Sequence, residues 1–212
     1  RLRPLLDLAQ RLGRLGAALA TGPVTAVELR FAGEGEDLLR PLTAGAMTGV
    51  LEGAVGATAL NVVNALLLAR QRGIQVERTR VDGPRDYADL IELRLNAGSS
   101  EVRVAGALLG EGHPRLVRVD DYRIEVIPVG YLLVLRNRDV PGVIGRVGTL
   151  VGDAGINIAE YHQSRLAAGG EALAALSVDA VPTPGLLQAL RAMPEIRQVA
   201  VVNLDGAAGG GS

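Results

Sequence analysis

Cysteine, lysine and tryptophan are missing from this chain of 212 residues, which also holds only one Phe and two His. Each absence removes a class of chemistry. Without sulfur nucleophiles there is no thiol catalysis, disulfide exchange or cysteine zinc site. Without lysine there is neither a Schiff-base amine nor the phosphate-reaching residue of a P-loop. All 22 basic residues are arginine, so any anion site must be built from guanidinium groups and backbone amides. His113 and His162 have no further ligand at metal-binding spacing, so no metal site is assigned. No Ser has a base beside it in sequence, and no catalytic residue is assigned.

Basic and acidic residues nearly cancel, leaving a formal charge of −1, which argues against nucleic acid and anionic membrane as partners. Lack of cysteine fits a reducing, cytoplasmic compartment. Arg1 heads no signal-peptide pattern, and an Arg where an initiator Met would stand is expected of a cut or processed chain. Between Pro41 and Ala69 the one charge is Glu52, with Gly45, Gly49 and Gly53 at small-xxx-small spacing. A membrane span is the alternative there, but Glu52, Asn61, Asn64 and Gly56 interrupt it. The stretch reads better as two soluble helices burying small-residue faces.

The remaining pattern is α+β. Leucines from Leu2 to Leu19 recur at helical spacing, so residues 2–20 read as an amphipathic helix that Gly22-Pro23 ends. A strand over Val24–Phe31, a Gly33–Glu36 turn, helices over about 37–57 and 60–72, and a strand over Ile74–Arg80 follow. Runs at Leu90–Leu95, Glu101–Leu108 and Leu116–Val119 have the spacing of an antiparallel meander, and a last strand, Tyr122–Ile127, leads to the boundary at Pro128-Val129-Gly130. Beyond it the order is strand Tyr131–Arg136, helix Val143–Asp153, strands Asn157–Arg165 and Ala172–Asp179, helix Pro184–Met193, strand Ile196–Leu204. That βαββαβ order is the ferredoxin-like arrangement, and its helix-free face and edges are expected to be open for pairing with another copy. The expected domains are 1–128 and 130–205, with residues 206–212 a low-complexity, disordered tail.

The most informative segment runs from Arg136 to Gly145 and, past a helix, from Asp153 to Ile158. A strand ends near Asp139, and Pro141-Gly142 then turns backbone N–H groups outward at a helix N-terminus, which favours an anion. A carboxylate beside such an end suits a zwitterion, with Asp139 taking an ammonium, the Gly142 amides a carboxylate, and Asn137 and Asn157 a ligand hydroxyl. The plainer alternative is that Asp139 caps the turn, Asn157 satisfies a strand start and the glycines allow positive φ.

The run "RDVPGVIGRVGTLVGDAGINI" resembles the signature of ACT domains, small-molecule regulatory modules that commonly bind amino acids between paired copies. With "LLDLAQRLGRL", "GAVGATALNVVNALLLARQRGI" and the meander before Tyr131, residues 2–205 resemble the C-terminal half of the long-type D-3-phosphoglycerate dehydrogenase family, where an allosteric substrate-binding, or intervening, domain precedes the ACT domain. One departure is Leu67, in a region where the family usually has Asn-Ala-Pro. The resemblance implies a serine-effector site at Asn137, Asp139, Gly142 and Asn157, with the Asp139 and Asn157 equivalents drawn from opposite subunits. The family usually has an aromatic residue or His where Asn137 stands.

The resemblance also implies an anion, phosphate or a phosphorylated substrate, at the intervening domain. Arg115 matches one basic position of that site, and Ile127 falls on another. His113, which precedes Pro114 and reads as a turn residue, crowds the same segment with Arg115, Arg118 and Arg123, which a solvated charged face explains as well. The family's enzyme oxidises 3-phosphoglycerate with NAD, opening L-serine synthesis. No GxGxxG follows a strand in this chain, so its implied role is effector sensing and assembly as a homodimer or homotetramer, with NAD bound elsewhere in the family's longer chain. Two alternatives stay open: a stand-alone ACT-type amino-acid sensor acting in trans, and an assembly module without a ligand.

Overall fold

The computed structural model describes residues 2–56, 59–82, 87, 89–110 and 112–206. Of the expected tail, 206–212, Gly206 is buried and its carbonyl accepts from Asn203 Nδ2 at 3.0 Å, while residues 207–212 lie outside the described residues, as do Arg1 and Glu111. Contacts divide the chain into two compact units, Arg1–Asp120 and Asp121–Ser212.

The first unit opens with α1 (Leu2–Leu19), whose Leu5, Leu8, Leu12, Leu15 and Leu19 are buried at three- and four-residue intervals. β1 (Val24–Ala32) follows, and after a 3₁₀ turn at Glu36–Leu38 come α2 (Leu39–Val55), α3 (Ala65–Gln71) and β2 (Gln75–Arg80). The meander is β3 (Asp89–Ala97), β4 (Ser100–Leu109) and β5 (His113–Val119). Strand order within this unit is β2-β1-β3-β4-β5. β2 joins β1 in parallel and the other pairs are antiparallel, so α2 and α3 form the crossover of a βαβ turn of chain. α1 lies over β3, β4 and β5, α2 over β1 and β2, and the two helices pack on each other. The charge-poor stretch is therefore a buried helix, with every residue of α2 from Leu42 to Leu51 in the core. Its hydroxyls are satisfied internally: Thr43 Oγ1 donates to the Leu39 carbonyl at 2.6 Å and Thr48 Oγ1 to that of Ala44 at 2.9 Å. No helix is long and apolar enough to cross a membrane among the described residues.

Two expectations change here. The helix expected over 60–72 starts at Ala65, because Asn61 and Asn64 fold the preceding residues into a side-chain-bonded turn. Asn61 Oδ1 accepts from the Val63 and Asn64 amides at 2.9 and 3.1 Å, and Asn64 Oδ1 accepts from the Asn61 amide at 2.9 Å. His113, expected in a turn, starts β5 opposite Leu109.

The second unit begins with β6 (Tyr122–Val126) and continues β7 (Tyr131–Arg138), α4 (Val143–Asp153), β8 (Ile158–Arg165), β9 (Glu171–Val178), α5 (Pro184–Ala192) and β10 (Ile196–Asn203). The order β10-β7-β9-β8 is antiparallel throughout, which is the expected ferredoxin-like sheet. Leu133, Leu135, Ala174 and Leu176 meet Val143, Val147 and Val151 of α4 and Leu186 and Leu190 of α5 in one core. Thr183 caps α5 by accepting from the Leu186 amide at 3.2 Å, with Pro184 at the first helical position. The face without helices was expected to be open and is not. Leu132, Val134, Leu173 and Ala175 on it are buried, and β6 contacts β8 and β9, with Tyr122 under the Arg136 guanidinium at 5.9 Å. The reason is in β6 itself, which buries alternate residues Tyr122, Ile124 and Val126.

Candidate functional site

The C-terminal end of β7 brings Asn137 and Asp139 to the loop before α4. Asn137 is 1% exposed, its amide nitrogen donates to the Arg138 carbonyl at 2.9 Å, and its buried Oδ1 has no donor among the described residues. Across the sheet, Asn137 is level with Ala172 and Ala172 with Arg165, while Leu135, Ala174 and Gln163 share the next rung on that face. This register carries the Gln163 and Arg165 side chains of β8 to Asp139. Asp139 Oδ2 accepts from Arg165 Nη1 at 2.9 Å and from the Gly169 amide at 3.3 Å, and Oδ1 accepts from Gln163 Nε2 at 3.5 Å. The Arg165 hydrogen bond, followed by that of Gly169, holds the Asp139 carboxyl below its ordinary 3.8.

Gln163 Oε1 and the Tyr161 hydroxyl, on the same face of β8, are also buried without partners among the described residues, and burial pushes the Tyr161 phenol up to about 12. The site is thus rich in acceptors: Asn137 Oδ1 and Gln163 Oε1 lack donors, and Asp139 Oδ1 has one long bond with capacity for more. Such a set selects a ligand that donates hydrogen bonds.

Gly142 is the N-cap of α4, with φ +86°, a conformation that disfavours any residue with a Cβ, and neither a side chain nor a first-turn acid caps the helix. Its amide end is therefore available to an anion. A largely apolar cavity of about 900 Å³ opens beside it between α4 and α5, lined by Gly142, Gly145, Thr149, Leu150 and Met193 and by the ion pair of Arg146 and Glu195 at 2.5 Å. Asn157 lies past the other end of α4, where its Nδ2 donates to Asp179 Oδ2 at 2.9 Å. The helix between spans 11 residues, about 16 Å at 1.5 Å each, so one copy does not bring Asn157 to Asp139.

In the first unit Arg115 lies on β5 opposite Ala107, with Nη1 donating to the Pro114 carbonyl at 3.0 Å. Arg118 is engaged with Glu92, which also accepts from Arg94 Nε at 2.7 Å and Arg30 Nη1 at 3.4 Å. His113 is exposed, and His162 is half-buried opposite Ala175 in the second unit. Among the described residues no group of three or more His, Asp or Glu is placed to hold a metal. Nor do the residues fit a dinucleotide: the parallel β1–α2 crossover turns through Gly33 and Gly35 without a third glycine, and Glu34 and Asp37 there would repel a pyrophosphate.

Sequence reasoning missed Gln163 and Arg165 as members of the Asp139 cluster. The alternation 161, 163, 165 was a signal that they share a face, but only strand pairing shows that this face reaches Asp139.

Comparison with known proteins places these features. Residues 1–120 match the D-3-phosphoglycerate dehydrogenase intervening domain and residues 131–195 the ACT domain. A D-3-phosphoglycerate dehydrogenase of Synechocystis is 35% identical over 206 residues, which is 96% of this chain and 37% of that protein. Those of Methanocaldococcus jannaschii and Bacillus subtilis are 31% and 29% identical, each across 96% of this chain and 38% and 39% of their own lengths. The chain thus spans a little over a third of the relatives it matches, and by its intervening and ACT domains it belongs to the D-3-phosphoglycerate dehydrogenase family.

Proposed function

We propose that this chain is the effector-sensing and assembly region of a D-3-phosphoglycerate dehydrogenase, and that its effector is L-serine bound between two copies of the second unit. Asn137, Asp139 and Gly142 of one copy and Asn157 of another form the site. The acceptor cluster takes the ammonium, the uncapped start of α4 takes the carboxylate, and the Asn157 amide serves the hydroxyl. The observation that carries this reading is the pairing of donor-starved acceptors, Asn137 Oδ1 and Gln163 Oε1, with an uncapped helix end one loop away. Asn157 lies about a helix length from both, which is why the reading requires a second copy.

A ligand bound between copies acts by its difference in affinity for two quaternary arrangements, and that difference is all it can transmit to a distant active site. The oxidation of 3-phosphoglycerate with NAD belongs, in this reading, to the remainder of a longer cytoplasmic enzyme, assembled as a homodimer or homotetramer. Functionally the chain divides into an intervening domain over 1–128 and an ACT domain over 130–205. Arg115 is the basic contribution of the intervening domain to a phosphate or phosphorylated-substrate site. Calorimetric titration of L-serine into the chain tests the central claim: saturable heat is expected from the native sequence and none from Asp139→Ala. Absence of heat in both, or equal heat in both, overturns it.

A further inference from the structure

We propose a second anion site in the first unit, between α2, α3 and β2, that takes an organic phosphate with at least two negative charges and an apolar or ring-bearing body. It is separate from the Arg115 site and does not rest on the serine reading. Arg40 in the first turn of α2, Arg70 in the last turn of α3 and Arg78 in β2 line one cavity of about 560 Å³, within the range of small-ligand pockets. No acid lines it. Among the described residues none of the three guanidinium groups has a hydrogen-bond or ion-pair partner.

Elsewhere in the molecule several arginines are matched to carboxylates, Arg14 to Glu52, Arg30 and Arg94 to Glu92, Arg103 to Glu101 and Arg165 to Asp139, while Arg72 and Arg80 donate to backbone carbonyls. Three like charges gathered on one cavity repel one another, and a polyanion relieves that repulsion. Guanidinium forks match carboxylate and phosphate oxygens alike, but three of them exceed what the two oxygens and single charge of one carboxylate satisfy, which favours a multiply charged phosphate. The rest of the wall is apolar. Val62, Val63 and Leu67, which line it, are 50%, 90% and 57% exposed, so the cavity offers a ligand body apolar surface that water now covers.

The test uses inorganic pyrophosphate and ADP as probes, with sodium chloride at matched ionic strength as control, read by thermal unfolding and by calorimetric titration. Both probes are expected to raise the unfolding midpoint beyond the salt control, ADP binding more tightly than pyrophosphate because it also covers the apolar wall. Arg40→Gln with Arg78→Gln is expected to weaken ADP binding at least about tenfold, while Arg191→Gln, at an exposed arginine of α5 outside every proposed site, leaves it unchanged. These side chains are exposed, so the double variant folds, and its unliganded melting curve verifies that. No shift beyond salt with either probe overturns the proposal, as does binding that survives the double variant or is lost equally with Arg191→Gln. Binding of citrate as tight as that of ADP overturns the assignment to phosphate.

Discussion

Asp139 accepts three hydrogen bonds, from Arg165, Gly169 and Gln163, and these tie the loop before α4 to β8 and to the turn beyond it. Because Arg165 holds the Asp139 carboxyl below its ordinary value, the native state binds fewer protons there than the unfolded chain near pH 4. Its stabilisation is therefore fully present above the unfolded value of about 3.9 and is lost as pH falls through the depressed folded value. Asp139→Asn is expected to lower the urea unfolding midpoint at about pH 7, and the gap to the native sequence should narrow steadily below about pH 4. Unfolding curves at a series of pH values check this, and a gap that stays constant to about pH 2 refutes it. At this scale the sequence showed half of the cluster. Asp139, Gly142 and Asn137 are neighbours along the chain, so a turn motif reveals them. Gln163 and Arg165 reach the same place only through the β7–β9–β8 register, which no local pattern encodes.

Among the elements, α2 shows how one spacing serves different ends. Gly45, Gly49 and Gly53 repeat every four residues, yet only part of that row packs against α1. A Cβ at Gly49 would overlap the Gln10 carbonyl oxygen and stand 2.7 Å from the Arg14 amide, whereas one at Gly53 would meet nothing within 4 Å. Those neighbours of Gly49 are backbone atoms of a helix and have no rotamer by which to withdraw. Gly49→Ala is expected to cost about 3 kcal/mol, the upper end for overpacking, while Gly53→Ala gains up to about 1 kcal/mol from reduced backbone freedom in the unfolded chain. Chemical denaturation of both variants decides, and similar values for the two would show that α1 and α2 do not meet this closely. Element identity was legible because the leucines of α1 keep helical spacing and the apolar runs of β3 to β5 are separated by glycine-bearing segments. The start of α3 was not, since Asn61 and Asn64 bond to backbone amides in place of starting a helix. Nor was the cover over the helix-free face of the second sheet. β6 reads as a strand in sequence, but its pattern does not say which sheet receives its buried side chains.

For the whole molecule, the decisive question is whether the proposed serine site is closed by one copy or two. Asp139 and Asn157 stand at opposite ends of α4, and a two-fold pairing of identical copies would juxtapose one residue from each, twice per dimer. That geometry makes a prediction no single variant can make. If the chain pairs in this way, homodimers of Asp139→Ala are expected to lose both sites, and so are homodimers of Asn157→Ala. When equal amounts of the two variants are refolded together from urea, about half of the dimers contain one chain of each kind. In those, one site carries both substitutions and the other carries neither, so about a quarter of the native serine stoichiometry returns. If both residues acted within one chain, every site in the mixture would hold one substitution and nothing would return. If Asn157 were not a ligand residue, its own homodimers would bind before any mixing. Calorimetric stoichiometry of the refolded mixture, with each variant refolded alone beside it, separates the three outcomes. Only the return of about a quarter supports a site shared between copies, the arrangement through which serine can act on assembly.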